Sequence, residues 1–437
     1  MSGQNKEVTK IGARNWFVVV LLGLAGQLAW NVENSWFNTF VYDTLTQDPK
    51  PIAWMVAISA ITATLTTLFM GAYSDRVGRR KPFILFGYVL WGISTILFPT
   101  TAYIKNINLA VALVIIADGV MTFFGSTAYD AAYNAWTTDI SNESNRGRIS
   151  GVITIFPLLA TIIGAGLSGM LIDEFGYYYF FYALGATVAI IGIIGGLLLK
   201  EPSNKVKDYE DGEEGVLKGI ITSFYPKRVR ANKELYMVLV TIALYCTGIQ
   251  IFIPYQMIYI NNFLGYSKGD AGIISAGALI IAMISAYPAG VLTDKGHGLK
   301  LAIAAPIISF FGFIGFSFSR DFLMVIFFAI FIYIGYVIFI LTTGAWLKNI
   351  MPEGSRGLYE GIRMIFNVAI PMVIGPNIGS WLILSYGIAG SGAIPEGYIP
   401  TPIIVQAAGV IGLLALLPLL FLHFSRRGGR IDENAAG

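Results

Sequence analysis

The chain alternates between long apolar blocks and short polar connectors. Each block holds twenty or more residues, enough for one helix to cross a hydrocarbon core of roughly 30 Å. The predicted spans 1 to 12 cover residues 16–43, 52–74, 82–103, 108–138, 147–173, 177–199, 235–264, 270–293, 299–319, 321–347, 356–386 and 401–424. The pattern predicts an all-α polytopic membrane protein with twelve transmembrane helices.

The composition supports this assignment and excludes several classes of site. Of the 437 residues, 55% are hydrophobic and only 13% are charged, whereas soluble domains contain about 25% charged residues. The mean hydropathy is +0.67. The single cysteine, Cys246, excludes a disulfide framework, and His297 and His423 are too few for a histidine-ligated metal. We therefore expect no metal, no cofactor and no nucleic-acid partner.

The distribution of positive charge predicts the topology. Of the 29 lysines and arginines, Arg363 falls inside a span and four (Lys50, Lys105, Lys268 and Arg320) fall in one set of connectors. The other set and the two chain ends therefore hold 24. Because cytoplasmic loops are enriched in Lys and Arg, both termini are predicted to be cytoplasmic, in a plasma or inner cell membrane.

The two halves of the chain repeat each other. Arg146-Gly147 after span 4 matches Arg356-Gly357 after span 10, 210 positions later. A second loop motif, described next, has a weaker copy ending in Asp294-Lys295 after span 8. The repeats predict two six-helix bundles, residues 1–200 and 235–437, which are joined by a cytoplasmic linker at 201–234.

The loop between spans 2 and 3 resembles the signature loop of the major facilitator superfamily. Its characteristic residues are Gly71, Asp75, Arg76, Gly78, Arg79 and Arg80. The resemblance implies two pseudo-symmetric bundles with the substrate between them near the midplane. Within the superfamily, segments 30–38, 74–84 and 130–139 are similar to sucrose-type and glycoside–pentoside–hexuronide symporters. This narrower resemblance implies a cation-coupled sugar or glycoside carrier. Span 2 lacks that branch's paired aspartates, which favours protons over sodium.

Polar and aromatic side chains follow one face of spans 1, 4, 7 and 10, which line the cavity in the superfamily. The candidate substrate-binding residues are Trp30, Asn31, Asn34, Asn38, Tyr129, Tyr133, Tyr245, Gln256, Tyr259, Tyr336 and Trp346. Amides offer both donors and acceptors to a polyhydroxylated ligand, and ring faces stack on a pyranose. The alternative is that these groups bond one another between helices or lie in interfacial belts.

Three acids within the predicted spans are candidates for proton coupling: Glu33, Asp118 and Asp130. Glu33 and Asp118 lie at similar depth on helices that are expected to adjoin. In such a pair, burial and like charge favour the protonated form of one carboxyl. The alternative is a structural acid that accepts a hydrogen bond from Asn31 or Asn34.

A gate is predicted at the cytoplasmic ends of the spans. Asp75 is expected to face Arg356 and the positive N-terminus of span 11, and Asp294 to face Arg146, so that the outward-open state is held closed on the inside. Asp139 ends span 4 in the same layer. Asp130 is expected to pair with Arg363, with a local Glu360–Arg363 contact as the alternative.

These features together predict a secondary transporter that works by alternating access. Proton-coupled uptake of a sugar or glycoside is the leading hypothesis, and proton-coupled export of drugs or other small metabolites is the alternative. A membrane-embedded enzyme is disfavoured, because His297 lies in a connector, His423 lies at the end of the last span, and the one cysteine stands alone. The expected partners are a small-molecule substrate and the lipid bilayer, and the expected state is a monomer.

Overall fold

The computed structural model describes residues 12–141, 145–201, 222–351, 356–390 and 397–424, and these are almost entirely helical. Ten helices in this part of the chain are long and apolar enough to cross a membrane. Two of them, Gly151–Leu198 and Lys268–Phe318, have 48 and 51 residues, about twice the length that one crossing needs. Each is broken at a left-handed glycine, Gly176 (φ 79°) and Gly296 (φ 83°). Each therefore supplies two spans, and the predicted all-α fold of twelve spans is confirmed.

The helices have the following bounds. In the first half they are Ala13–Val32, Glu33–Phe37 and Asn38–Thr44 (span 1), Lys50–Val77 (span 2), Lys81–Leu97 and Phe98–Tyr103 (span 3), Ile107–Gly125, Ser126–Tyr133 and Asn134–Asp139 (span 4), and Arg146–Thr161, Ile162–Leu167 and Ser168–Leu198 (spans 5 and 6). A short helix, Pro226–Ala231, precedes the second half.

The second half continues in the same way. Its helices are Lys233–Phe252, Ile253–Tyr255, Gln256–Ile258 and Tyr259–Phe263 (span 7), Lys268–Ile284, Ala286–Leu292 and Thr293–His297 (span 8), Gly298–Phe318 (span 9), Phe322–Ile350 (span 10), Arg356–Met364, Ile365–Ala369 and Ile370–Tyr386 (span 11), and Pro402–Leu413, which begins span 12. Two-residue strands, Ile388–Ala389 and Tyr398–Ile399, pair antiparallel between spans 11 and 12. The predicted domain boundaries stay a prediction, and residues 202–221 of the linker lie outside the described residues.

Several spans contain a π-helical turn near the middle, including Glu33–Phe37 in span 1 and Ser126–Tyr133 in span 4. A π turn bonds residue i to residue i+5 and often occurs at functional sites. It also rotates every later side chain relative to a regular helix. The polar stripe predicted for span 1 at 100° per residue runs through this turn, and its members differ in environment: Asn34 is exposed, whereas Asn38 is 1% exposed.

The two halves meet at one end of the bundle. We call the side that carries Gly12 and Phe424 the terminal side, and the opposite side the far side. On the far side, Lys268 Nζ lies 3.3 Å from Asp43 Oδ2, and the Gly269 N–H donates to Asp173 Oδ2 at 2.7 Å. The Tyr42 hydroxyl also donates to the Tyr398 carbonyl oxygen at 2.9 Å. These contacts join spans 1 and 5 of the first half to span 8 and the short strands of the second.

Toward the terminal side, the halves separate. A Cβ added to Gly272 of span 8 would come within 2.1 Å of the Ala165 carbonyl oxygen in span 5, near the far side. A Cβ on Gly71, Gly151 or Gly290, at the terminal ends of spans 2, 5 and 8, would meet nothing within 4 Å. Within the described residues, the ion pair and the hydrogen bonds named above join the halves on the far side, where the molecule is closed. We call the space between the halves toward the terminal side the cleft.

Candidate functional site

Two buried carboxylates and two hydroxyls form a continuous polar chain in the first half. Asp118 contacts the Ser59 hydroxyl through Oδ2. Ser59 Oγ lies 2.8 Å from Thr122 Oγ1, and Thr122 donates to Glu33 Oε1 at 3.1 Å. All four side chains are buried, with Glu33 6% and Asp118 2% exposed. We call this set the acid–hydroxyl chain.

Three spans bring this chain together. Asp118 and Thr122 are four residues apart on a regular part of span 4, so they share a face. Glu33 is the first residue of the π turn in span 1, and Ser59 comes from span 2. The structure thus brings together the two acids that the sequence paired, through two hydroxyls whose bridging position sequence reasoning missed.

The alternative partners predicted for Glu33 bond elsewhere. The Asn31 amide donates to Thr161 Oγ1 of span 5 at 3.1 Å, and the Asn34 amide donates to the Trp30 carbonyl oxygen at 2.7 Å. Glu33 Oε2 and Asp118 Oδ1 are buried with no hydrogen-bond partner within the described structure. An ionised carboxylate oxygen left this way is costly inside a membrane protein. The geometry therefore favours a site that carries fewer than two negative charges.

Part of the predicted substrate-binding set lies beside this chain and faces the cleft. Asn34 is exposed in the middle of span 1, and Trp30 and Asn31 are half-buried next to it. The Trp30 ring packs against Trp91 with centroids 5.0 Å apart, and its Nε1 atom has no partner within the described structure. Of the three, Asn34 is the exposed amide, whereas Asn31 Oδ1 and Trp30 Nε1 are buried atoms.

The tyrosines of span 4 lie inside the helix packing. Tyr129 accepts a hydrogen bond from Gln27 at 2.9 Å, and Tyr133 donates to the Val19 carbonyl oxygen at 2.8 Å. Their rings stack at 5.0 Å and are almost fully buried. Their position favours the interhelical alternative weighed above over contact with a substrate. Asn38 is also buried, and its amide donates within its own span, to the Asn34 carbonyl oxygen at 3.2 Å.

In the second half, too, some candidate residues are buried and bond neighbouring helices, whereas others are more exposed. Tyr245 and Ser309 share a hydrogen bond of 2.6 Å, Gln256 bonds Ser275 and Tyr333, and Tyr259 is fully buried. These contacts again link helices to one another. Trp346 donates to Glu234 at 2.7 Å from a partly buried position. Tyr336 is 37% exposed and lies near Cys246 of span 7. It is the most exposed of the candidates from this half.

The loop between spans 2 and 3 folds around Arg80. Its guanidinium contacts Asp75, donates to Ser74 Oγ at 2.5 Å, and lies 3.2 Å from Asp139 at the end of span 4. Burial alone would lower the pKa of Arg80, but the hydrogen bonds and charges of the two aspartates raise it above its ordinary value. Gly78, at φ 69°, ends span 2 in the left-handed conformation that favours glycine. The motif thus fastens spans 2, 3 and 4 within one half.

The structure describes only some of the side chains that were predicted to form the gate. The side chains of Arg146, Arg356 and Glu360 lie outside the described residues. The gate contacts of Asp294 with Arg146 and of Asp75 with Arg356, and the Glu360–Arg363 contact, therefore stay predictions. Asp130 and Arg363 are both half-buried in spans 4 and 11, and their pairing also stays a prediction. Arg76, Arg79, Asp294 and Lys295 are exposed on the terminal side.

A fold of twelve spans in two bundles, with a cleft between them, defines a membrane transporter. The sequence model of the Major Facilitator Superfamily matches residues 16–313 and 238–436, and the chain belongs to this superfamily. Multidrug resistance protein 2 of Bacillus subtilis is 22% identical over 76% of this chain and 79% of its own length. Sugar efflux transporter A of Dickeya chrysanthemi is 25% identical over 68% and 70%.

The fold comparison agrees with this assignment. The crystal structure of the nucleoside transporter NupG superposes with a TM-score of 0.71, covering 92% of this chain and 99% of its own, at 13% sequence identity. These relatives are transporters, and so is this protein, which confirms that it is not an enzyme. The narrower resemblance to sucrose-type and glycoside–pentoside–hexuronide symporters stays a prediction.

Proposed function

We propose that the protein is a proton-coupled secondary transporter that takes up a sugar or glycoside by alternating access. The observation that carries this proposal is the acid–hydroxyl chain, which places two buried carboxylates beside the cleft-facing Trp30, Asn31 and Asn34. A buried acid that exchanges a proton can couple to a ligand only if both respond to the same conformational change. Glu33 lies on span 1 together with Trp30, Asn31 and Asn34, so a movement of this span affects both the acid and the candidate ligand site.

The charge distribution supports a defined orientation within this proposal. With both termini in the cytoplasm of a plasma or inner membrane, the terminal side faces inward and the far side faces outward. The conformation described here is then inward-open. The amides and the Trp30 ring suit a polyhydroxylated substrate. The working unit is one chain, since one chain contains both bundles and the cleft.

Proton-coupled export is the second candidate, and the relatives favour it. One relative is named as a sugar efflux transporter and another as a multidrug resistance protein. The chemistry of the acid–hydroxyl chain serves either direction. A thermal-shift screen of the purified protein against sugars, glycosides and amphiphilic drugs at two pH values would first identify a ligand.

Transport in liposomes then separates the two candidates. With an acidic exterior, a symporter accumulates the ligand inside the vesicle, on the alkaline side, whereas an antiporter accumulates it on the acidic side. A proton that moves down about 100 mV supplies ~2.3 kcal/mol, which corresponds to roughly fiftyfold accumulation. Ligand that only equilibrates across the membrane, whatever the gradient, would contradict proton coupling.

Neutralising either buried acid is expected to abolish accumulation. We expect Glu33→Gln and Asp118→Asn to lose the accumulation driven by the proton gradient, while exchange of ligand across the membrane continues. The matched control is Glu174→Gln, because Glu174 is an exposed acid on the far side and should accumulate ligand like the wild type. Full accumulation in both buried-acid variants would exclude the acid–hydroxyl chain from coupling.

A further inference from the structure

The acid–hydroxyl chain contains more hydrogen bonds than its hydroxyls can supply. Its four side chains make three oxygen–oxygen contacts, Asp118–Ser59, Ser59–Thr122 and Thr122–Glu33, all at hydrogen-bonding distance. Each contact requires one hydrogen. Ser59 and Thr122 provide one hydrogen each, and an ionised carboxylate provides none. The third hydrogen therefore has to come from a protonated carboxyl group.

We propose that Glu33 and Asp118 share a single proton, which the hydroxyls of Ser59 and Thr122 relay between them. When the proton is on Asp118, Asp118 donates to Ser59, Ser59 to Thr122, and Thr122 to Glu33. When it is on Glu33, all three hydrogen bonds reverse. Rotation of two hydroxyl groups thus moves the negative charge between spans 1 and 4 without moving either carboxyl. This inference rests on the proposed proton coupling and adds its stoichiometry and route.

The surroundings support one proton rather than none or two. With none, two charges would lie in a buried site whose outer oxygens, Glu33 Oε2 and Asp118 Oδ1, have no partner within the described structure. No lysine or arginine is among the described groups that act on either acid. With two protons, four hydrogens would compete for three contacts. Asp130, on span 4, is the other ionisable group that acts on Glu33. It is partly exposed, unlike Glu33 and Asp118, which are buried.

A shared proton predicts an unusual result for the single amide variants. In Glu33→Gln, the amide N–H group supplies the third hydrogen, so Asp118 no longer needs a proton. In Asp118→Asn, the new amide does the same for Glu33. Each single variant should therefore abolish proton uptake by the acid–hydroxyl chain. Two independent acids would instead leave one titrating group in each variant.

The test needs no substrate. Infrared difference spectra of the purified full-length protein at acidic and alkaline pH report the carbonyl band of a protonated carboxyl, and an Asp130→Asn background removes the neighbouring acid. We expect one such band in this background and none after either amide substitution. A band that persists at similar intensity in either single variant would overturn the shared proton. Suppression of the band by sodium chloride but not by choline chloride would also overturn it, in favour of a sodium site.

The hydroxyls are tested as positioning residues by the same band. Ser59→Ala and Thr122→Val should shift its frequency, because the carboxyl loses its hydrogen-bond partner, and Thr122→Ser should restore it. Thr127→Val is the matched control, since the Thr127 hydroxyl donates to the Phe123 carbonyl oxygen of its own helix. An unshifted band in both hydroxyl variants would exclude the relay. A protein that shows the expected bands but transports nothing against a gradient would instead contradict the proposed function and leave the shared proton intact.

Discussion

Replacing Gly272 with alanine is expected to open the far side of the molecule. An added Cβ would lie 2.1 Å from the Ala165 carbonyl oxygen, which is a backbone atom of the other half and cannot move alone. Overpacking of this kind costs about 1–3 kcal/mol. Because the cost falls only on the conformation in which the halves meet here, the ratio of the two conformations should change by roughly 5- to 150-fold.

The measurement is the distance between spin labels on the two halves. Lys105 and Asn262 are exposed at the far side in the first and second half, and cysteines can replace both in a Cys246→Ser background. We expect Gly272→Ala to populate a longer distance than the parent. Gly277→Ala is the matched control from the same span, because a Cβ there would meet nothing within 4 Å. Equal distance distributions in the two glycine variants would show that this contact does not control closure.

The spans and their order could be predicted because the bilayer imposes length and polarity on every crossing segment. Even so, the structure joins spans 5 and 6 into one apolar run, and only the positive φ of Gly176 marks the turn between them. The sequence boundary at residues 173–177 agrees with this break. Local polarity and glycine placement were sufficient there, because the turn depends on few neighbours.

The candidate site was harder to predict, because the prediction assumed regular α-helices and the spans contain π turns. The π turn at Glu33–Phe37 interrupts the regular helix from which the polar stripe of span 1 was predicted, and nothing in the residue types indicates where such a turn occurs. Ser59 illustrates a second difficulty. A lone serine in an apolar span most often bonds its own backbone, so its bridge to Asp118 depends on how spans 2 and 4 pack.

The tyrosines show the same dependence on packing. A tyrosine at the depth of the cavity can donate to a ligand or to a neighbouring helix, and both arrangements have the same sequence pattern. The Tyr133 hydroxyl bonds a backbone carbonyl oxygen, and the Tyr245 hydroxyl bonds Ser309. Only the position of the neighbouring helices distinguishes these outcomes.

Replacing Arg80 with alanine is expected to destabilise the first half. The Arg80 side chain is 11% exposed and joins two aspartates that are themselves partly buried, Asp75 and Asp139. Its loss would leave both carboxylates without their cation, at a cost of about 1–3 kcal/mol. Arg80→Lys should recover only part of this, because a lysine lacks the planar fork that reaches two carboxylates at once. Thermal unfolding of the purified variants measures the effect.

Arg79→Ala is the control, because it removes the same charge from an adjacent, exposed position. A surface substitution of this kind usually changes stability by no more than about 0.5 kcal/mol. If both variants lost stability equally, the general positive charge of the loop would matter rather than the Arg80 contacts.

The Arg80 contacts also bear on the predicted gate contact between Asp75 and the start of span 11. Asp75 is held by Arg80 in the conformation that is open on the terminal side, so it must leave this partner, or share it, to face span 11 when that side closes.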